Sequence, residues 1–220
     1  MRAGGPRCRL NGLSEARPLR CHSPYGCSNG AACQYVLDYA REFKLPAIVF
    51  CMSSVYGPYQ LGGEDQGWIT HFLNCALKGA PIKVYGDGRQ VRDVLFVDDL
   101  IEAFLLAEDQ IARLSGQTFN IGGGPDNTVS VIELLDLIAA IRGQRPEVQF
   151  EPARPSDQRY YVSDIRKLSR ATGWCPSVGV REGVERLRRW IESEEAAPGP
   201  APEPPKRRSA KPRALEVGES

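Results

Sequence analysis

Leu45–Met52 reads LPAIVFCM, an uncharged run bounded by Lys44 on one side and by Ser53 and Ser54 on the other. A strand with one wet face alternates apolar and polar residues. A short run that is apolar throughout predicts a strand covered on both faces, as in a parallel sheet. Upstream, Ala31, Ala32, Tyr35, Val36, Tyr39 and Phe43 fall at helical spacing between Cys27 and Phe43. A helix delivered into a buried strand is the repeating unit of an α/β protein.

The unit recurs downstream. Trp68–Gly79 (WITHFLNCALKG) predicts a helix closed by its final glycine. Ile82–Val97 (IKVYGDGRQVRDVLFV) predicts two strands around a Gly-Asp-Gly turn, in the manner of a hairpin. DDLIEAFLLAED opens on acidic residues that suit a helix dipole, and QTFNIGGG is a strand running into a glycine loop. Ser130 with Glu133 forms the signature of a capping box ahead of LLDLIAAIR. EVQFEP predicts a strand, SDIRKLSRATG a helix and VREGVERLRRWIE a last, amphipathic helix, whereas SSVYGPYQLGGEDQG between them reads as a long loop. The expected organisation is an irregular segment at residues 1–24, an α/β body at 25–193 and a disordered tail at 194–220 that is rich in proline and charge.

Composition narrows the function classes. Lys and Arg number 28 against 27 Asp and Glu, so no nucleic-acid partner is expected. LLDLIAAI (Leu134–Ile141), the longest apolar run, is too short to cross a bilayer, and MRAGGPRCRLNG carries no apolar leader. Seven cysteines without a C-x-x-C pair predict thiols and no metal site, in a reducing, cytoplasmic setting. His22 and His71 have no ligand-like neighbours and read as ordinary polar contacts.

Five segments carry a resemblance: SPYGCSNGAACQYVLDYAREFKLPAIVFCMSSVYGPYQ, EDQGWITHF, YGDGRQVRDVLFVDDLIEAF, FNIGGG and ARPSDQRYYVSDIRKLSRATGW. In this order, between Ser14 and Glu192, the chain resembles the NAD-dependent nucleotide-sugar epimerases and dehydratases of the extended short-chain dehydrogenase/reductase superfamily. It is nearest the CDP-paratose (tyvelose) 2-epimerase group, and to the C-terminal portion alone. The resemblance implies a partial Rossmann-like, doubly wound sheet without its first strands, and a smaller α+β lobe for substrate. The family's glycine-rich nucleotide turn would fall before Met1.

Through the resemblance, Tyr25 matches the catalytic tyrosine, and Asn29 stands where the family has lysine. A free tyrosine titrates near 10, so deprotonation at pH 7 costs about 4 kcal/mol, which a neighbouring ammonium reduces. Asn29 carries no charge, although its amide can bond a ribose hydroxyl of NAD. Cys51 takes the place of a family arginine, and Cys33 stands where an acidic residue is common. On the substrate side, Arg92 and Arg154 match residues that grip a diphosphate, which suits two guanidinium forks. Arg92 also admits a local strand-end salt bridge with Asp93. Ser54 and Gln66–Trp68 would lie along the sugar and diphosphate, and Lys83–Gly86 would border the base. NIGGGPDN lacks the G-x-G-x-x-G spacing and reads as a loop joining the two lobes.

The implied activity is C2 epimerisation of a CDP-linked deoxysugar through a keto intermediate, with NAD taking and returning the hydride. Without a glycine loop or the lysine, the chain alone is expected to bind no NAD and to be inactive. The alternatives are a nucleotide-sugar dehydratase or decarboxylase, a non-catalytic nucleotide-sugar binding module, and a dimerisation remnant. A homodimer through the Tyr25 helix is the expected assembly.

Overall fold

Pro24 starts helix α1 (Pro24–Glu42), where a missing N–H costs no hydrogen bond, and the Ser23 hydroxyl caps it by accepting the Gly26 N–H at 3.1 Å. This computed structural model describes residues 12–18, 23–155 and 157–196. The helix is where the spacing placed it, but turned over. Its shielded positions are Gly26, Gly30, Cys33, Leu37 and Ala40, a stripe of mostly small residues that packs against the first strand. Tyr35, Tyr39 and Phe43, which the periodicity assigned to the core, are 69%, 52% and 71% exposed. Small side chains on the inner stripe let the helix lie close to the sheet, and the bulky ones are left outside.

The LPAIVFCM run contributes strand β1 (Val49–Met52), which pairs in parallel with β5 (Thr118–Ile121), Val49 opposite Thr118. It is not covered on both faces: Val49 is buried, whereas Met52 is 55% exposed. Among the described residues β5 is the only partner of β1, so one edge and part of one face stay open.

The segment read as a long loop contains β2 (Ser54–Tyr56), which pairs in parallel with β4 (Val91–Phe96). Strand β4 also runs antiparallel to β6 (Thr128–Ser130) and parallel to β8 (Tyr160–Tyr161). The expected hairpin around Gly-Asp-Gly does not form. Strand β3 (Ile82–Tyr85) leaves the turn to pair with β7 (Val148–Glu151) instead. The turn is pinned from outside: the Ile132 N–H donates to the Gly88 carbonyl at 3.0 Å, and Gly88 sits at φ 69°, so close that an added Cβ would lie 2.9 Å from the Ile132 side chain. Gly88 thus serves the neighbouring helix and does not close a two-strand ladder.

The remaining helices are α2 (Trp68–Lys78), α3 (Val97–Asp109), α4 (Ile111–Leu114), α5 (Val131–Arg142), α6 (Arg166–Thr172) and α7 (Val180–Ala196). Gly79 closes α2 in the left-handed conformation, and both halves of the Ser130–Glu133 capping box are made. Strand β4 lies between two apolar clusters and uses the period of two to serve both. Val94 and Phe96 join Leu73, Ile82, Leu134 and Leu187. Leu95 joins Phe119, Ile121, Leu168 and Trp174.

Two long-range ties hold this arrangement. Asp99, 1% exposed, accepts from the Ser177 N–H (3.1 Å), the Ser177 hydroxyl (2.6 Å) and the Val178 N–H (3.1 Å). The acid that was expected only to complement the dipole of α3 therefore fastens the loop leading into α7. Near the chain start, Leu13 bridges Ser163, and the Asn120 side-chain amide donates to the Leu13 carbonyl at 2.7 Å. The expected disordered tail falls almost entirely at 197–220, outside the described residues, and α7 runs on to Ala196.

Candidate functional site

A cleft of about 210 Å³ opens between the start of α2, strand β3 and the segment after β7. Gly67, in the left-handed conformation, turns the chain into α2 so that Trp68 begins the helix at the cleft wall. The Trp68 and Phe72 rings meet edge to face with centroids 5.9 Å apart. The Trp68 indole N–H donates to the Ser54 hydroxyl at 3.4 Å, so Ser54 reaches the site only through that indole. On β3, Lys83 and Tyr85 share one face of the strand, and Ile82 and Val84 are buried in the core.

Arg92 and Arg154 come to this same cleft from β4 and from the segment after β7. The Arg92 side chain is 17% exposed, and its guanidinium donates to the Val91 carbonyl and to the Asp157 carboxylate, each at 2.8 Å. Arg154 lies over the Tyr85 ring, 3.9 Å from its centroid, and forms a 3.2 Å ion pair with Asp65. The Tyr85 hydroxyl donates to Glu64, which also faces Lys83 at 3.8 Å. The tyrosine bond first, and then the lysine charge, holds the Glu64 carboxyl below its ordinary range. Beyond Arg154 a second depression of about 200 Å³ is lined by Gly86, Asp87, Gln158 and Arg159, and it shares Tyr85, Gln90, Arg154 and Asp157 with the first. The two form one elongated groove with cations spaced along it.

The local Arg92–Asp93 salt bridge is not made. Neighbours on a strand point to opposite faces, so Arg92 turns to the groove and Asp93 into the interior. There Asp93 accepts from the Ser53 hydroxyl and from the Gly124 N–H at 3.2 Å. Burial pushes its carboxyl above the ordinary range, against the pull of these hydrogen bonds. A raised carboxyl holds its proton in the folded chain at pH values where the unfolded chain has lost it. Its contribution to stability therefore falls as pH rises from about 4 through the raised value. Stability measured from pH 4 to 8 should fall for the native sequence relative to Asp93→Asn across that window, and parallel profiles would refute a buried, titrating Asp93.

The other expected residues lie elsewhere. Tyr25, at the start of α1, is 76% exposed and does not line the groove. The Asn29 side-chain amide donates to the Tyr25 carbonyl at 2.8 Å, so it serves the helix backbone and not the phenol. Gln66 is exposed, and its backbone carbonyl accepts the Gly63 N–H at 2.8 Å. Phe72, Gln90, Asp65 and Asp157 line the groove without having been singled out. The only prior signal for Asp157 was its place three residues after Arg154 in ARPSD. Among the described residues, no group of three or more His, Cys, Asp or Glu could hold a metal ion, and no helix is long and apolar enough to cross a membrane.

Residues 5–122, more than half of the chain, match the NAD dependent epimerase/dehydratase family. The chain belongs to this family. It is similar to the CDP-paratose 2-epimerase of Salmonella typhi, 41% identical over 188 residues that cover 83% of this chain and 56% of that protein. It is also similar to a UDP-glucose 4-epimerase of Mycolicibacterium smegmatis, 33% identical over 79% of this chain and 54% of that one. The chain thus spans about half the length of the curated epimerases it matches. Among solved structures, the UDP-glucose 4-epimerase of Thermotoga maritima with UDP-glucose superposes with a TM-score of 0.77 at 29% identity, covering 87% of this chain and 60% of that one. MoeE5 in complex with UDP-glucose and NAD gives 0.77 at 32%, covering 84% and 60%. These similarities establish the Rossmann-like α/β class.

The family name implies NAD, and the Gly122–Gly124 loop does not fit its pyrophosphate. The Gly122–Gly124 loop is filled by its own chain: an added Cβ would lie 2.2 Å from an Asp93 carboxylate oxygen at Gly122 and 2.1 Å from the Val94 carbonyl at Gly123. These glycines make room for protein and not for a phosphate.

Proposed function

We propose that this chain carries the nucleotide-sugar-binding part of an epimerase, with a CDP-linked deoxysugar as its ligand. The observation that supports this is the meeting of Arg92 and Arg154, from distant parts of the sequence, in one groove walled by Trp68, Phe72 and Tyr85. Guanidinium forks suit the diphosphate, and the aromatic walls suit the flat faces of base and sugar. Ser54, behind Trp68, and Gln66 would steady that wall from outside the groove. The likeness to CDP-paratose 2-epimerase favours the cytidine nucleotide and a reaction at the sugar C2, with Tyr25 as the group that takes the hydroxyl proton. Asn29 supplies no charge for that transfer, and the Gly122–Gly124 loop is filled by its own chain. The chain by itself is therefore proposed to hold the nucleotide sugar without turning it over.

Titration calorimetry of the chain with CDP-glucose, UDP-glucose and dTDP-glucose tests this. One site per chain is expected, tightest for the CDP sugar, with no heat for NAD. Absence of binding by all three sugars at millimolar concentration refutes the groove assignment, and NAD retained through purification and released on denaturation refutes the cofactor assignment. The exposed Tyr35, Tyr39 and Phe43 face supports the further proposal of a homodimer through α1. Sedimentation of the same samples decides it, and a monomer at tens of micromolar would count against it.

A further inference from the structure

Four carboxylates among the described residues line the groove, and Glu64 is held differently from the other three. Asp65, Asp157 and Asp87 each pair with a guanidinium, that of Arg154, Arg92 and Arg159 in turn. Glu64 instead accepts from the Tyr85 hydroxyl and faces the Lys83 ammonium at 3.8 Å, and both contacts fall on its Oε1. Its backbone is tied as well. The Arg154 guanidinium donates to the Glu64 carbonyl at 3.4 Å, and the Gly63 N–H closes the turn that carries Glu64 by donating to the Gln66 carbonyl at 2.8 Å. The Glu64 side chain is 41% exposed, and Oε2 takes part in neither contact.

Resting on the nucleotide-sugar reading of the groove, we infer that Glu64 determines the choice of base, its carboxylate accepting the 4-amino group of cytosine. On that reading a diphosphate would draw Arg92 and Arg154 away from Asp157 and Asp65, and Lys83 would be free to follow a phosphate oxygen. The tyrosine hydroxyl stays, so Glu64 keeps its place with a ligand in the groove. The bond from that hydroxyl, and then the lysine charge, also hold the carboxyl below its ordinary range, so at neutral pH it is an anion that only accepts. An anion fixed there repels phosphate and carbonyl oxygens and fits an N–H or O–H donor. Glu64 stands at the hydroxyl edge of the Tyr85 ring, so a flat base lying beside that ring meets the carboxylate with its own edge. Cytosine carries an amine donor at its 4-position, where uracil and thymine carry a carbonyl acceptor. Tyr85 acts through Glu64, as the residue that positions it.

The test is titration calorimetry of CDP-glucose and UDP-glucose on the full native chain, on Glu64→Gln and on Glu64→Ala. The native chain should prefer CDP-glucose by about tenfold or more, the factor that a mismatched donor or acceptor at a base edge costs. In Glu64→Gln the amide oxygen still takes the Tyr85 hydroxyl, and an NH2 donor replaces Oε2. That variant should lose about tenfold for CDP-glucose and hold or improve UDP-glucose, so that the preference disappears. Glu64→Ala should lose the preference with no gain for UDP-glucose, and circular dichroism should be unchanged in both variants. A preference that survives in the variants, or a native chain that binds the two sugars equally, overturns the inference and leaves the groove reading standing. Equal losses for both sugars also overturn it, because they would put Glu64 on a hydroxyl that the two ligands share. A native chain that binds neither sugar defeats the groove reading itself, and the inference falls with it.

Discussion

Removal of both guanidinium groups, Arg92→Ala with Arg154→Ala, should weaken binding of a nucleotide-diphosphate sugar about 100-fold or more, with each single change costing about tenfold. Hydrogen bonds to a charged partner contribute about 1.5–3 kcal/mol each, and every 1.4 kcal/mol is a factor of ten. Neither side chain holds up the core. Arg154 is ringed by Tyr85, Glu64 and Asp65 at the surface, and the Asp157 that faces Arg92 can turn to solvent. Circular dichroism should therefore be unchanged while calorimetry loses the signal. Arg154→Lys should recover part of the affinity, because it keeps the charge but not the fork. An unaltered dissociation constant in either alanine variant would remove that arginine from the site.

Trp174→Ala should cost about 3–5 kcal/mol, a large share of the stability of an ordinary domain, and lower the melting temperature by roughly 10 °C. The indole is 2% exposed among Leu95, Ala103, Phe119 and Leu168, and its N–H donates to the Asp99 carbonyl at 2.9 Å. Its loss opens a cavity in the second core cluster and loosens the loop that Asp99 also holds by its carboxylate. Trp174→Phe keeps most of the packing and should cost about a third as much. Urea denaturation followed by circular dichroism separates the two, and a Trp174→Ala cost under about 1 kcal/mol would show that this cluster does not carry the fold.

Features decided within a few residues were legible in the sequence. Ser130 and Glu133 form their capping box and Gly79 ends α2, because each depends on local backbone geometry. The resemblance located Arg92 and Arg154, and the fold then brought them to one groove. What escaped depends on which surfaces meet. The tyrosines and Phe43 of α1 satisfy a helical period on either side of the helix, and only packing against β1 shows that glycine, cysteine and alanine face inward. Strands β3 and β4 carry every local mark of a hairpin, yet each finds its partner far along the chain. Asp93 reads as a partner for Arg92 and Asp99 as a complement to a helix dipole, until burial gives them backbone amides to hold.

The pairing of charges along the groove has a consequence for how a guest arrives. Lys83 faces Glu64, Arg92 faces Asp157, Arg154 faces Asp65 and Arg159 faces Asp87. At rest the groove is electrically quiet, its cations paired with its own carboxylates, which on the proposed function would give way to phosphate oxygens. Occupation is then an exchange of anions on fixed cations. Solvent-exposed pairs of this kind hold each other only weakly, so the resident acids yield easily. A guest with a single charge gains little by displacing one of them. On the proposed function, a diphosphate would replace two neighbours together, and on its departure the side chains would close over the cations again.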